Sequence, residues 1–160
     1  MISLTRRYQF SASHRLHSSA LSQSENSRVY GKCNNPFGHG HDYILEITVG
    51  GPVSPETGLI ISVPALDSFV ERHVLRLVAH RNLNLDVPPF AHLVPTTENL
   101  ALVIASFIRR HWPDSFGDSE AYPYRVRLDE TDRNRFEIFL PVSGANFALN
   151  TYTETALSHV

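Results

Sequence analysis

The chain reads as an α+β protein in which two helices cover one face of an antiparallel four-stranded sheet, in the order ββααββ. Three patterns predict this. Apolar residues alternate at period two in two segments near the start and two near the end, and at helical spacing in two segments between. A short polar stretch joins the last two strands as a hairpin. Strands flanking a helical middle are the signature of helices segregated to one face of an antiparallel sheet.

The first strand runs from about Leu4 to Ala12, and alternation places Tyr8, Phe10, Ala12 and His14 on one face. The second runs from about Asp42 to Val49, with His39, His41, Tyr43, Leu45, Ile47 and Val49 sharing a face. A polar loop from His17 to Phe37 joins them. It is too long for a simple hairpin turn, and loops of that length in compact domains are usually functional or disordered. After Gly50-Gly51-Pro52, a turn at Pro55-Glu56-Thr57-Gly58 and the short apolar run Leu59-Ile60-Ile61, Pro64 suits the first turn of a helix whose inner side carries Leu66, Phe69, Val70, Val74 and Leu77.

A connector from Ala79 to Pro89 follows. The second helix is expected to be capped by Thr97, with Glu98 in its first turn, and to be limited by Pro113. Its inner stripe reads Leu100, Val103, Ile104, Phe107, Ile108 and His111. The last strands carry Tyr124-Val126-Leu128 and Phe136-Ile138-Leu140 in alternation, with Glu130-Thr131-Asp132-Arg133-Asn134 turning between them. Residues 1–141 are thus expected to form one domain and 142–160, small and polar without periodicity, a C-terminal tail.

Composition narrows the function classes. With 160 residues, 42 % hydrophobic and 19 % charged, the chain suits a single core. A formal net charge of −2 gives no general attraction to nucleic acid or anionic membrane. One cysteine rules out an intrachain disulfide framework, the N-terminus lacks the apolar segment of a signal peptide, and no apolar run approaches the roughly 20 residues that span a bilayer. These features predict a soluble cytoplasmic protein.

The chemistry concentrates in Cys33-Asn34-Asn35-Pro36-Phe37-Gly38-His39-Gly40-His41. In extended backbone His39 and His41 face the same way and can reach one ion, with Gly40 leaving room beside them. His14 continues the inward row of the neighbouring strand and supplies a third imidazole. Three neutral imidazoles with an open fourth position fit catalytic zinc better than structural zinc, which takes four protein ligands. Cys33 reads either as a small buried hydrophobe or as a base or nucleophile whose thiolate is favoured by Lys32 and a nearby metal.

Glu130 lies on the parity of Tyr124, Val126 and Leu128; either the strand has simply ended, or the carboxylate accepts paired N–H groups from a guanidine-like ring edge such as that of a pterin. Thr96 and Thr97 read as helix caps. His80 suits a helix-end cation or a proton carrier near neutral pH. Arg15, Arg28 and Lys32 are either solvated charges or groups facing an anionic substrate.

Over roughly residues 5–140 the chain resembles the 6-pyruvoyl-tetrahydropterin synthases. The resemblance rests on Phe10 to His17, Gly31 to Pro36 leading into Gly38-His39-Gly40-His41, His80-Arg81-Asn82-Leu83, Thr96-Thr97-Glu98-Asn99 and Glu130-Thr131-Asp132, in that order. It implies the tunnelling fold, or T-fold, with homo-oligomeric rings, typically hexamers of two trimers, and active sites at subunit interfaces. It also implies zinc on His14, His39 and His41, Cys33 as catalytic residue, His80 in a proton relay, and Glu130, Thr96 and Thr97 around the pterin. The implied reaction turns 7,8-dihydroneopterin triphosphate into 6-pyruvoyl-tetrahydropterin with loss of triphosphate. A 6-carboxy-tetrahydropterin synthase acting on the same substrate is the enzymatic alternative, disfavoured by the five-residue spacer between Cys33 and His39. One departure matters: the family usually has aspartate before the relay histidine, where this chain has Ala79. Asp67, Asp86 or a residue of a neighbouring subunit are the candidate substitutes, and a weakened zinc and pterin binder is the non-catalytic reading.

Overall fold

A computed structural model describes residues 2–141; the expected tail, 142–160, lies outside the described residues. Strand β1 (Ile2–His14) pairs antiparallel with β2 (His39–Gly51), β2 with β3 (Tyr122–Asp129), and β3 with β4 (Arg135–Phe139), giving the sheet order β1-β2-β3-β4. Both long strands run further than their apolar alternation, because β1 and β2 stay paired to their ends, with His14 opposite His39 and Ala12 opposite His41. That register brings the three histidines to one end of one face.

The inward face carries Phe10, Ala12, Tyr43, Leu45, Ile47, Val49, Val126 and Leu128, all buried. Against it lie α2 (Val63–Val70), which continues through a π turn at Glu71–Leu75 into α3 (Arg76–Val78), and the long α5 (Thr97–Phe116). Leu66, Val70, Val74, Leu100, Ile104 and Ile108 are fully buried there, each such side chain stabilising the fold by about 1.5–3 kcal/mol. The opposite sheet face is charged, with Arg127 3.2 Å from Glu46 and Arg125 2.9 Å from Glu137. Among the described residues no helix is long and apolar enough to cross a membrane.

Several elements depart from expectation. The loop after β1 contains a helix, α1 (Gln23–Tyr30), opened by a capping box: Glu25 N–H donates to Ser22 Oγ and Ser22 N–H to Glu25. Its face toward the protein is polar, so no apolar period announced it. The connector after α3 folds into a short helix, α4 (Leu83–Asp86), capped by Asn82, with Leu83 buried beneath it.

The cap of α5 is Thr96, not Thr97; its Oγ accepts from Asn99 N–H. Pro113 does not end that helix. Trp112 and Phe116 pack on Phe69, with ring centroids 5.4 Å from it in each case, and their burial offsets the roughly 3 kcal/mol that an interior proline costs. Trp112 rather than His111 takes the last inner position; His111 stacks on His73 at the partly exposed rim.

Candidate active site

His14 ends β1, and His39 and His41 begin β2. Their ring centroids stand 4.6 to 5.1 Å apart, and one ligand nitrogen from each lies within 4.8 Å of the others. His14 Nε2 is 3.1 Å from His39 Nε2, close to the roughly 3.3 Å that two nitrogens adopt on one tetrahedral zinc with bonds near 2.0 Å. His14 Nδ1 lies 2.8 Å from the Pro95 carbonyl. A carbonyl only accepts, so the proton sits on Nδ1 and the Nε2 lone pair faces the other rings. His41 Nε2 is buried with no hydrogen-bond partner, a costly arrangement unless something else occupies its lone pair.

Electrostatics point the same way. Burial first, and then the other imidazoles, push His14 below the usual histidine range; burial and His41 do the same to His39. Neutral rings are the ligating form. The donor set fits a divalent transition ion.

Glu130, just past β3, borders this cluster. Its Oε1 accepts from the Thr97 hydroxyl at 2.5 Å and lies 3.7 Å from His41 Nε2; its Oε2 accepts from Asn134 at 3.2 Å. Burial opposes ionisation of this carboxyl, but the bonds from Thr97 and Asn134 and the nearby His41 and His14 outweigh it, so it stays below the usual range. An ionised carboxylate set in a pocket wall can hold an N–H-rich ring edge.

Cys33 sits in the 3₁₀ turn Gly31–Asn34, tied to the end of β1 by Leu16 N–H donating to its carbonyl at 2.8 Å. Burial, and then Glu130, push its thiol up. Lys32, next to it, is exposed.

Residues 3–140 match the family described as 6-pyruvoyl tetrahydropterin synthase. The chain belongs to that family. It is 47 % identical over 131 residues to a 6-pyruvoyl tetrahydrobiopterin synthase of Poecilia reticulata, covering 82 % of this chain and 85 % of that protein. The human protein of that name is 42 % identical over 131 residues, covering 82 % of this chain and 86 % of its own length. A solved Caenorhabditis elegans 6-pyruvoyl tetrahydropterin synthase superposes with a TM-score of 0.78 at 35 % identity, over 88 % of this chain and 96 % of the other. The fold is thus the T-fold of this synthase family, and membership makes the chain an enzyme of the carbon–oxygen lyase type.

The structure brings together His14, His39, His41, Glu130 and Thr97, with Cys33 near enough to feel the Glu130 charge. Thr96 is turned to its capping bond instead. His80 makes no direct contact with this cluster: its ring has no hydrogen bond or ion pair with any described residue, and it lines a cleft of about 410 Å³ with Ser11, Ala12 and Ser13 of β1 and Gly40, His41 and Asp42 of β2, so that His41 borders both. Neither candidate substitute within the chain for the missing aspartate reaches it. Asp67 is held by Arg6 through two bonds, at 2.6 and 3.0 Å, and by Tyr8; Asp86 accepts from Asn82 N–H.

Sequence reasoning missed the residues that shape the loop. Buried Asn34 donates to the Leu16 carbonyl at 2.7 Å, and buried Asn26 binds Ser18, Leu21 and Ser22 carbonyls. Asn84 brackets Arg15 through both its N–H and its carbonyl. Their only sequence signal is asparagine beside turns, which is common. Gly38 stands in the motif without a sequence-level reason for being glycine; its φ is +69°, and a Cβ there would meet the His14 carbonyl oxygen at 2.8 Å.

Proposed function

We propose that this protein is a zinc-dependent 6-pyruvoyl-tetrahydropterin synthase that converts 7,8-dihydroneopterin triphosphate to 6-pyruvoyl-tetrahydropterin, with elimination of triphosphate. The observation that carries the reading is the convergence of three histidine nitrogens, one of them a buried orphan, beside a carboxylate held ionised by Thr97 and Asn134. His14, His39 and His41 would hold the ion. When bound, such an ion supplies Lewis acidity that makes neighbouring hydroxyl and C–H protons easier to remove.

The chain's own residues do the rest. Glu130 takes the N–H edge of the pterin and so fixes which carbons of the side chain face the histidines. Thr97 orients Glu130, and Thr96 caps the helix that carries Thr97. Cys33 is the group that exchanges a proton with the substrate side chain; burial and Glu130 push its thiol up, and a compensating positive charge nearby favours loss of its proton. His80 carries a proton to or from that chemistry. In one chain it lines a cleft apart from Cys33, so the reading includes a homo-oligomer, a hexamer of two trimers, in which a second copy presents His80. Exposed Phe37 and Leu85, at 97 % and 81 % accessibility on the two segments concerned, support contact between copies.

Incubating assembled, zinc-loaded protein with 7,8-dihydroneopterin triphosphate should release triphosphate and yield a product with the mass of 6-pyruvoyl-tetrahydropterin. No turnover by that preparation removes the reading; a 6-carboxy product replaces it.

A further inference from the structure

A histidine that carries protons is oriented by an acceptor on its second nitrogen, and a neighbouring anion stabilises its cation. Alanine precedes His80, and the carboxylates expected to substitute, Asp67 and Asp86, are bonded elsewhere. Within one chain, a further carboxylate borders the cleft itself. It is lined by Ser11, Ala12 and Ser13 of β1, by Gly40, His41 and Asp42 of β2, and by the segment 80–82. Its charged or titratable groups are Asp42, His41, Arg81 and His80, and Asp42 is the one carboxylate among them.

The backbone ties His80 and Asp42 to the same residue. His80 N–H donates to the Ser11 carbonyl at 2.7 Å, while Ser13 N–H donates to the Arg81 carbonyl at 2.9 Å, pinning the segment along the free edge of β1. His80 alone among described non-glycine residues has positive φ, +58°, a conformation that persists where surroundings enforce it and that recurs at functional sites. From the other side, the Ser11 hydroxyl donates to Asp42 Oδ1 at 2.5 Å, and Ser11 and Asp42 are cross-strand partners. Asp42 Oδ2 and the His80 ring have no hydrogen-bond partner among described residues.

We propose that Asp42, held by Ser11, is the positioning residue for His80, supplying from the neighbouring strand the carboxylate that residue 79 lacks. This rests on His80 being the proton carrier of the proposed reaction. The Asp42 carboxylate selects the ring orientation and offsets the positive charge that Arg81 adds to the cleft.

The test is Asp42→Asn in assembled, zinc-loaded protein. Expected are a kcat about 10- to 100-fold lower, an unchanged KM and zinc content, a changed ¹⁵N signature of the His80 ring, no further loss when Asp42→Asn is added to His80→Ala, and recovery on adding Ala79→Asp. Should Asp42→Asn not fold, Ser11→Ala must change the His80 ring signature and lower kcat in the same direction. An unaltered ring signature, a loss accounted for by missing zinc, or additive losses with His80→Ala overturns the proposal. The ring signature is read without turnover, so an inactive wild-type protein removes the functional reading while the pairing is still decided.

Discussion

The Thr97 hydroxyl donates to Glu130 Oε1 at 2.5 Å, joining the first turn of α5 to the end of β3 on the rim of the histidine cluster. Thr97 is buried, so this bond sets where the carboxylate points. Thr97→Val keeps the shape and removes the donor. A hydrogen bond to a charged acceptor is worth about 1.5–3 kcal/mol, so pterin binding should weaken about 10- to 100-fold with the fold intact. Fluorescence titration with a pterin checks this; unchanged affinity removes Thr97 from the binding wall.

His41 separates function from stability. Its Nε2 is a buried atom without a partner, which costs metal-free protein about 1–3 kcal/mol. His41→Phe should therefore leave the Tm of metal-free protein unchanged or higher while abolishing tight zinc binding. Calorimetry on chelator-treated protein and equilibrium zinc titration report the two effects. A large drop in metal-free Tm contradicts this.

Gly38 controls how closely the loop approaches β1. In Gly38→Ala the left-handed backbone costs about 1–2 kcal/mol, and the new Cβ, 2.8 Å from the His14 carbonyl oxygen, displaces a residue of the ligand set. Both stability and zinc affinity should fall. Urea unfolding and zinc competition measure them, and a variant that binds zinc as wild type does refutes the close-approach argument.

The parts of the site that lie on strands were legible because a strand has a strict period: the parity of Tyr8 to His14 and of His39 to Val49 brings the histidines to one face from residue order alone. Caps were harder. Thr96 and Thr97 are adjacent and alike, and a one-residue shift decides which caps the helix and which bonds Glu130. Helix α1 hid because its stabilisation comes from a capping box and buried asparagine, which leave no apolar period. The commitments of Asp67 to Arg6 and of Asp86 to Asn82 are tertiary facts that no local pattern records.

The β3–β4 hairpin carries a predictable acid limb. Arg127 and then Arg135 bond Asp129 and hold its carboxyl at about 2, against an ordinary 3.8. A carboxyl depressed in the folded state contributes stability that is present above pH 4 or so and lost as pH falls through about 2. Asp129→Asn should cost about 1 kcal/mol at neutral pH and flatten the stability profile between those values. Urea midpoints measured against pH test it; an unchanged acid limb contradicts it.

The most direct measurement compares triphosphate release from 7,8-dihydroneopterin triphosphate by assembled, zinc-loaded wild type and Cys33→Ala. Proton transfer by a placed side chain contributes about 10²- to 10⁴-fold. Wild type should release triphosphate, and Cys33→Ala should be slower by at least about 100-fold while binding pterin and zinc as tightly. Equal rates, or tight pterin binding without release by wild type, would contradict a catalytic role and leave a protein that binds zinc and pterin without turning it over.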